Sequence, residues 1–152
     1  MAQLYSVTTG VTATAAAGTI KTAIQLATPS TQSCLLVALD VSCTGAAAAG
    51  TWLAELVHET GVSSGGSAYT ALKYGLDQSK AALVTARIND TTDGSGPVIQ
   101  QSWEISNTGD FSYLWPLGRE LFTTVSSWLA IRVTVPTGGS TGSYLVTAIF
   151  EE

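Results

Sequence analysis

Apolar and polar side chains alternate one for one along much of this chain. In Trp128–Val135, Leu129, Ile131, Val133 and Val135 fall on one face, and Ala130, Arg132 and Thr134 on the other. That period of two, rich in β-branched residues, is what a strand with one buried face requires. Tyr144, Val146, Ala148 and Phe150 repeat it in Tyr144–Phe150. The polar, glycine-rich Pro136–Ser143 between them predicts a closing β-hairpin. The same reading predicts strands at Gln3–Thr8, Thr19–Leu26, Thr51–Thr60 (a segment that also fits a helix), Ala81–Asn89 and Val98–Ser106. Ile20, Thr22, Ile24 and Leu26 share one face of the second. Trp52, Ala54, Leu56 and His58 oppose Leu53, Glu55, Val57 and Glu59 in the third, and Ile99, Gln101, Trp103 and Ile105 oppose Val98, Gln100 and Ser102 in the last. Cys34–Ser42 is more continuously apolar, as in a strand covered on both faces. Turn chemistry separates these runs at Pro29, Gly61–Ala68 and Asp90–Pro97. Thr9–Gly18 reads as a loop or irregular strand, Tyr69–Lys80 as a short turn and Gly118–Ser127 as a crossing loop. The expectation is an all-β fold: an antiparallel β-sandwich or jelly roll of about eight strands. It forms a single domain over residues 1–152 with a flexible N-terminal arm over about 1–18.

Composition sharpens this picture. Of 152 residues, 45% are apolar and only 11% charged, against roughly 25% charged in ordinary soluble domains. Surface so poor in charge suits a protein partly covered by partners. The formal net charge is −5, and the six basic residues (Lys21, Lys73, Lys80, Arg87, Arg119 and Arg132) are scattered. A phosphate backbone needs a basic stripe, so no nucleic-acid partner is expected. No apolar run reaches the roughly 18 residues of a spanning helix. Met1–Val7 lacks the basic start and apolar core of a signal peptide, which predicts cytoplasmic synthesis and no membrane partner. Cys34 and Cys43, if on one extended strand, lie roughly 30 Å apart at about 3.3 Å per residue. A disulfide requires Cα atoms within about 7 Å, so buried free thiols are expected.

Several short patterns suggest chemistry, and each has a plainer explanation. Gly61–Gly65 matches the G-x-S-x-G nucleophile elbow around Ser63. That elbow needs a following helix and a later histidine. Here Gly66–Thr70 starts no helix, and the sole histidine, His58, comes first. A lone imidazole makes no metal site, and Glu55 and Glu59 belong to the opposite strand face. Asp90, Asp93 and Gly94 resemble a calcium loop, but Gln101 stands where the closing glutamate belongs. Asn89–Thr91 is formally a glycosylation sequon, with no meaning outside secretion. Glu104 and Asp110 could be paired as glycosidase carboxylates only by their separation in space. No catalytic, metal-ligating or cofactor-binding residue is expected, and the protein is read as a non-enzyme. Phe111, Tyr113, Trp115, Phe122 and Trp128 crowd one part of the chain. Aromatics so grouped form a core, a subunit interface or a carbohydrate platform.

Met1–Val7, Gly65–Ser67, Ala81–Thr92, Trp115-Pro116 with Glu120, Ile131–Val133 and Glu151-Glu152 follow one another in an order that resembles a family of small structural proteins of tailed-bacteriophage virions. Some of these resemble jelly-roll head decoration (cement) proteins. The chain departs from the pattern at Thr70–Leu72 and Leu117–Arg119, where the family carries prolines. The resemblance implies a homotrimer on the outer surface of the capsid, over junctions between hexamers and pentamers of the major capsid protein. It carries no catalytic residue and no cofactor. On that reading Phe111, Tyr113, Trp115, Phe122 and Trp128 make subunit or capsid contacts, and the N-terminal arm reaches the shell. The alternatives are a tail or head-tail connector component and, more remotely, a carbohydrate-binding β-sandwich module.

Overall fold

A computed structural model describes residues 3–10, 13–74 and 81–152. Strands β1 (Leu4–Thr8), β2 (Ala13–Ala15), β3 (Ile20–Ala27), β4 (Cys34–Thr44), β5 (Thr51–Glu59), β6 (Ser67–Tyr69) and β7 (Leu72–Lys73) precede β8 (Thr85–Asp90), β9 (Val98–Ser106), β10 (Asp110–Leu114), β11 (Leu121–Thr123), β12 (Trp128–Thr134) and β13 (Gly142–Glu151). They form two antiparallel sheets. The first has the order β10-β4-β13-β1-β7, with β11 extending β10 along β4 and β2 extending β1 along β13. The second has the order β6-β8-β3-β12-β5-β9.

The core lies between the sheets. Val7, Leu36, Leu39, Val146 and Phe150 from the first meet Ile24, Leu26, Trp52, Leu56 and Ile131 from the second, all within 1% of full burial. The alternation read from the sequence produces these faces directly.

Three expectations are corrected. The closing hairpin does not form. β12 is central in the second sheet, between β3 and β5, and β13 is central in the first, between β4 and β1. Their apolar faces meet across the core, and Pro136–Thr141 carries the chain from one sheet to the other. Periodicity specifies a buried face but not a hydrogen-bonding neighbour. The segment expected as an N-terminal arm contains β1, paired with Thr147–Glu151, with Tyr5 and Val7 buried. The crossing loop at Gly118–Ser127 contains β11, paired with Cys34–Leu36.

Two bulges correct the predicted faces. Ile131 pairs with Ile24 but Arg132 pairs with Thr22, so Ala23 is an extra residue in β3. The bulge turns Thr22 away from the core, to the side of Arg132. Likewise Leu56 pairs with Gln101 but Val57 pairs with Ile99, leaving Gln100 extra in β9. Ile99 therefore faces outward while Gln101 and Trp103 face inward. A bulge of one residue reverses the parity of everything beyond it.

Candidate functional site

The middle of the outer face of the second sheet is covered. Residues 60–66 and 91–97 fold across it, joined by a bridge between Ser64 and Thr92. Beneath them lies a polar network from four strands. Arg132 donates to Asp93 at 2.9 Å and to Glu55 at 3.5 Å. Thr134 donates to Glu55 at 2.7 Å, and Thr22, turned outward by its bulge, to Asp93 at 2.6 Å. The Gln25 amide donates to Glu59 and to the Gly61 carbonyl and accepts from the Ser63 backbone N–H. Glu59 also accepts from the Gly94 N–H at 3.1 Å. Asp90 accepts from the Ser63 hydroxyl, the Gly66 N–H and the Arg87 guanidinium.

Electrostatics divide the two fully buried carboxyls. Burial pushes the Glu59 pKa up, reinforced by Asp93 and only partly opposed by Gln25, Gly94 and Arg132. Burial also acts to raise Asp90, but hydrogen bonds from Arg87, Ser63 and Gly66 outweigh it and hold the pKa below the ordinary value. Ser63 is therefore a fully buried strut whose hydroxyl is committed to Asp90. The elbow pattern does not place it beside an imidazole, since His58 belongs to the other face of β5. Asp90 and Asp93, the calcium-loop candidates, are ion-paired to Arg87 and Arg132. Asn89 gives its side-chain amide to the Thr9 carbonyl at 3.0 Å, so the sequon is tied into the fold. Glu104 and Asp110 sit on the outer faces of different sheets, by their registers with Leu53 and Ser42. Among the described residues no three metal-ligating side chains come together. Cys34 and Cys43 are free and buried, as expected, and burial pushes both thiols up to about 11.

The side of the sandwich between β9 and β10–β11 has a different character. At one end it is walled by aromatics. Trp103 lies 5.4 Å from Phe111, 5.2 Å from Tyr113 and 6.3 Å from Trp115, centroid to centroid, and Tyr113 meets Trp115 edge-on at 4.8 Å. These tilted and edge-on geometries are the favoured ones. Farther along, the sheet edges part around a slot of about 100 Å³ lined by His58, Gln100, Leu121, Phe122, Thr123 and Leu129. Leu129 is buried, whereas Phe122 is 59% exposed. Val98 and Ile99 on β9, Leu114 on β10, and Leu117 and Val125 on the turns beyond are exposed apolar residues; their registers put Ile99 on the outer face of the second sheet and Leu114 on that of the first. Leu117, on the turn after β10, is 98% exposed.

The structure thus brings Phe111, Tyr113 and Trp115 together and gives them Trp103, which sequence reasoning left out. Trp115 is a core residue at 6% exposure, and its ring contacts are within the chain. Phe122 stands apart on the slot rim. Trp128 is half-buried on the outer face of the second sheet, opposite Glu59. The aliphatic residues of this side were also missed, and their signal was apolar side chains at positions whose parity assigns them to solvent. No known family, curated protein or solved structure matches the chain.

Proposed function

We propose that this chain is a structural subunit of a bacteriophage virion, a decoration protein that binds the outside of the assembled head as a homotrimer. The observation that carries the reading is the apolar side between β9 and β11. Its edge strands and the turn after β10 carry exposed Val98, Ile99, Leu114, Leu117 and Phe122 on a chain with 11% charged residues. Large exposed apolar patches mark association surfaces.

The strand order supports the finer fold assignment of a jelly roll. Pairs are nested about the β5–β9 connection: β5 with β9, β4 with β10 and β11, β3 with β12, and β1 with β13. A long hairpin rolled on itself gives that nesting, and β6, β7 and β8 are added to it. Jelly rolls recur in viral capsid domains, although fold alone does not carry function.

The mechanism is linkage. A subunit that binds the closed shell and not its separated parts stabilises the shell by RT ln(1 + [L]/Kd), about 2.7 kcal/mol per site at a concentration one hundred times Kd. Many weak contacts on one closed surface add avidity. In purified particles of the phage encoding this chain, decoration predicts a copy number comparable to that of the major capsid protein. It also predicts that particles without the chain lose integrity at lower temperature. A few dozen copies or fewer would place the protein in the tail or connector, and absence from particles would overturn the virion reading.

A further inference from the structure

We propose that the outer face of the first sheet is the surface that meets the shell, and that its match there is a protein surface bearing basic and aliphatic side chains. The inference rests on the virion reading above and names the face and the chemistry of its partner. The strand registers sort this face into rows across the sheet. Phe122, Leu35 and Leu4 stand in the first row, interrupted by Glu151, and Leu114, Ile149 and Leu72 in the second. Leu4, Leu72, Leu114 and Phe122 are exposed. The third row holds Asp40 between Ser112 and Thr147, and the fourth holds Asp110 beside Ser42.

Two apolar rows thus adjoin two acidic ones. Asp40 and Asp110 line a depression of about 320 Å³, together with Ser42, Ser112, Leu145 and Thr147. The Ser42 hydroxyl donates to Asp110, and an ionised carboxylate accepts more than one such bond. No cation answers these carboxylates from the strands of the same face. Among the described residues, the one basic side chain on the strands of this sheet is Lys73, and its pairing with Tyr5 gives it the inward parity. A guanidinium or ammonium group of a partner supplies the missing charge, and arginine can meet a carboxylate through two parallel bonds.

Charge also decides against a second copy of this face. A two-fold axis along the strands would set the acidic rows of two copies against each other, and one across the strands would set them against the apolar rows. Either arrangement buries carboxylates without a cation, which is strongly unfavourable. The extent of the face suits a shell contact. Its five strands, about 4.8 Å apart, and four rows, about 7 Å apart, cover on the order of 600 Å². That is one partner's share at the low end of specific interfaces. Such a contact is weak singly, and a closed shell repeats it over many copies.

The test adds the full chain back to shells of the encoding phage assembled without it, and measures bound protein against concentration. Asp40→Lys and Asp110→Lys should each raise the half-saturating concentration roughly 30-fold or more, the effect of removing one side of a desolvated charge pair. Leu114→Asp should raise it about 10-fold or more. Asp40→Asn is the milder variant should a reversal of charge disturb folding, and it should weaken binding in the same direction. Val62→Lys adds a positive charge on the loop over the second sheet, where Val62 is 58% exposed, and should bind as wild type. Wild-type binding should weaken as salt is raised. Labelling of carboxyls with a carbodiimide and an amine should modify Asp40 and Asp110 in the free chain and spare both on the shell. Wild-type or tighter binding in Asp40→Lys and Asp110→Lys, or equal labelling of both carboxyls on and off the shell, would overturn the assignment of the face and leave the virion reading standing. A changed oligomeric mass in those variants would give the face to a second copy and overturn the inference. A chain absent from particles and unable to bind the shell would overturn both.

Discussion

Removing the guanidinium of Arg132 tests how the covered face of the second sheet is held. Arg132 and Glu55 are each 7% exposed at the side chain and Asp93 is 23% exposed. Arg132→Met keeps most of the aliphatic stem and leaves two carboxylates facing each other under the loops. Breaking a buried ion pair from one side costs about 3–5 kcal/mol. Partial exposure of Asp93 and the unpartnered Arg132 Nε place this case at the lower end, about 3 kcal/mol. For a domain of this length each kcal/mol lowers Tm by about 2–4 °C, so a drop of roughly 6–12 °C is expected by calorimetry, with a matching shift of the urea midpoint. Adding Glu55→Gln and Asp93→Asn to the Arg132→Met chain removes the stranded charges and should recover at least half of the loss. An Arg132→Met protein within about 0.5 kcal/mol of wild type would refute the reasoning, since the network would then not secure the loops.

Other outcomes follow from the same geometry. Gly94→Ala would drive a methyl group into the Gly61 carbonyl oxygen and to 2.6 Å from a Glu59 carboxylate oxygen, one backbone and one buried. A loss of about 2–4 kcal/mol is expected in chemical denaturation. Asp90 has a lowered folded pKa, so its contribution is present above the unfolded value of about 3.9 and is lost as pH falls through the folded value. Asp90→Asn should therefore cost about 2–4 kcal/mol at neutral pH, and its difference from wild type should shrink in acid, as read from stability against pH. Cys34 and Cys43 should resist a thiol reagent at pH 8 in the native protein, because burial raises both to about 11. Both should react once the chain is unfolded in urea.

Alternation made the buried faces legible. Leu129, Ile131 and Val133, like Tyr144, Val146, Ala148 and Phe150, are inside as their spacing predicts. The partners were not legible, because β12 and β13 would show the same alternation whether they pair or face each other across a core. The bulges at Ala23 and Gln100 carry no signal in the sequence that parity could use, and so Thr22 and Ile99 were assigned to the wrong faces. The network of Gln25, Glu59, Ser63 and Asp90 was hidden for a different reason. Polar residues in a strand are read as solvated, and only a covering loop reverses that reading. The Gly/Ser-rich run from Gly61 to Ser67 was the visible trace of such a loop, since Gly66 packs against the backbone of Ile88–Asp90 too closely for a side chain. Of the candidate interface, the aromatics were legible by type, but the slot depends on where two sheet edges part.

The nesting of β1 with β13 also bears on how the protein comes into being during synthesis. β13 runs between β4 on one side and β1 and β2 on the other, so the first sheet has no middle until residues 142–151 have been made. Until then Tyr5, Val7, Leu39 and Val41 belong to strands without their shared neighbour. Pairings so distant in sequence make for slow folding. A nascent chain that must hold apolar strands unpaired for so long is exposed to aggregation. Its low charge, 11% of residues, aggravates that exposure.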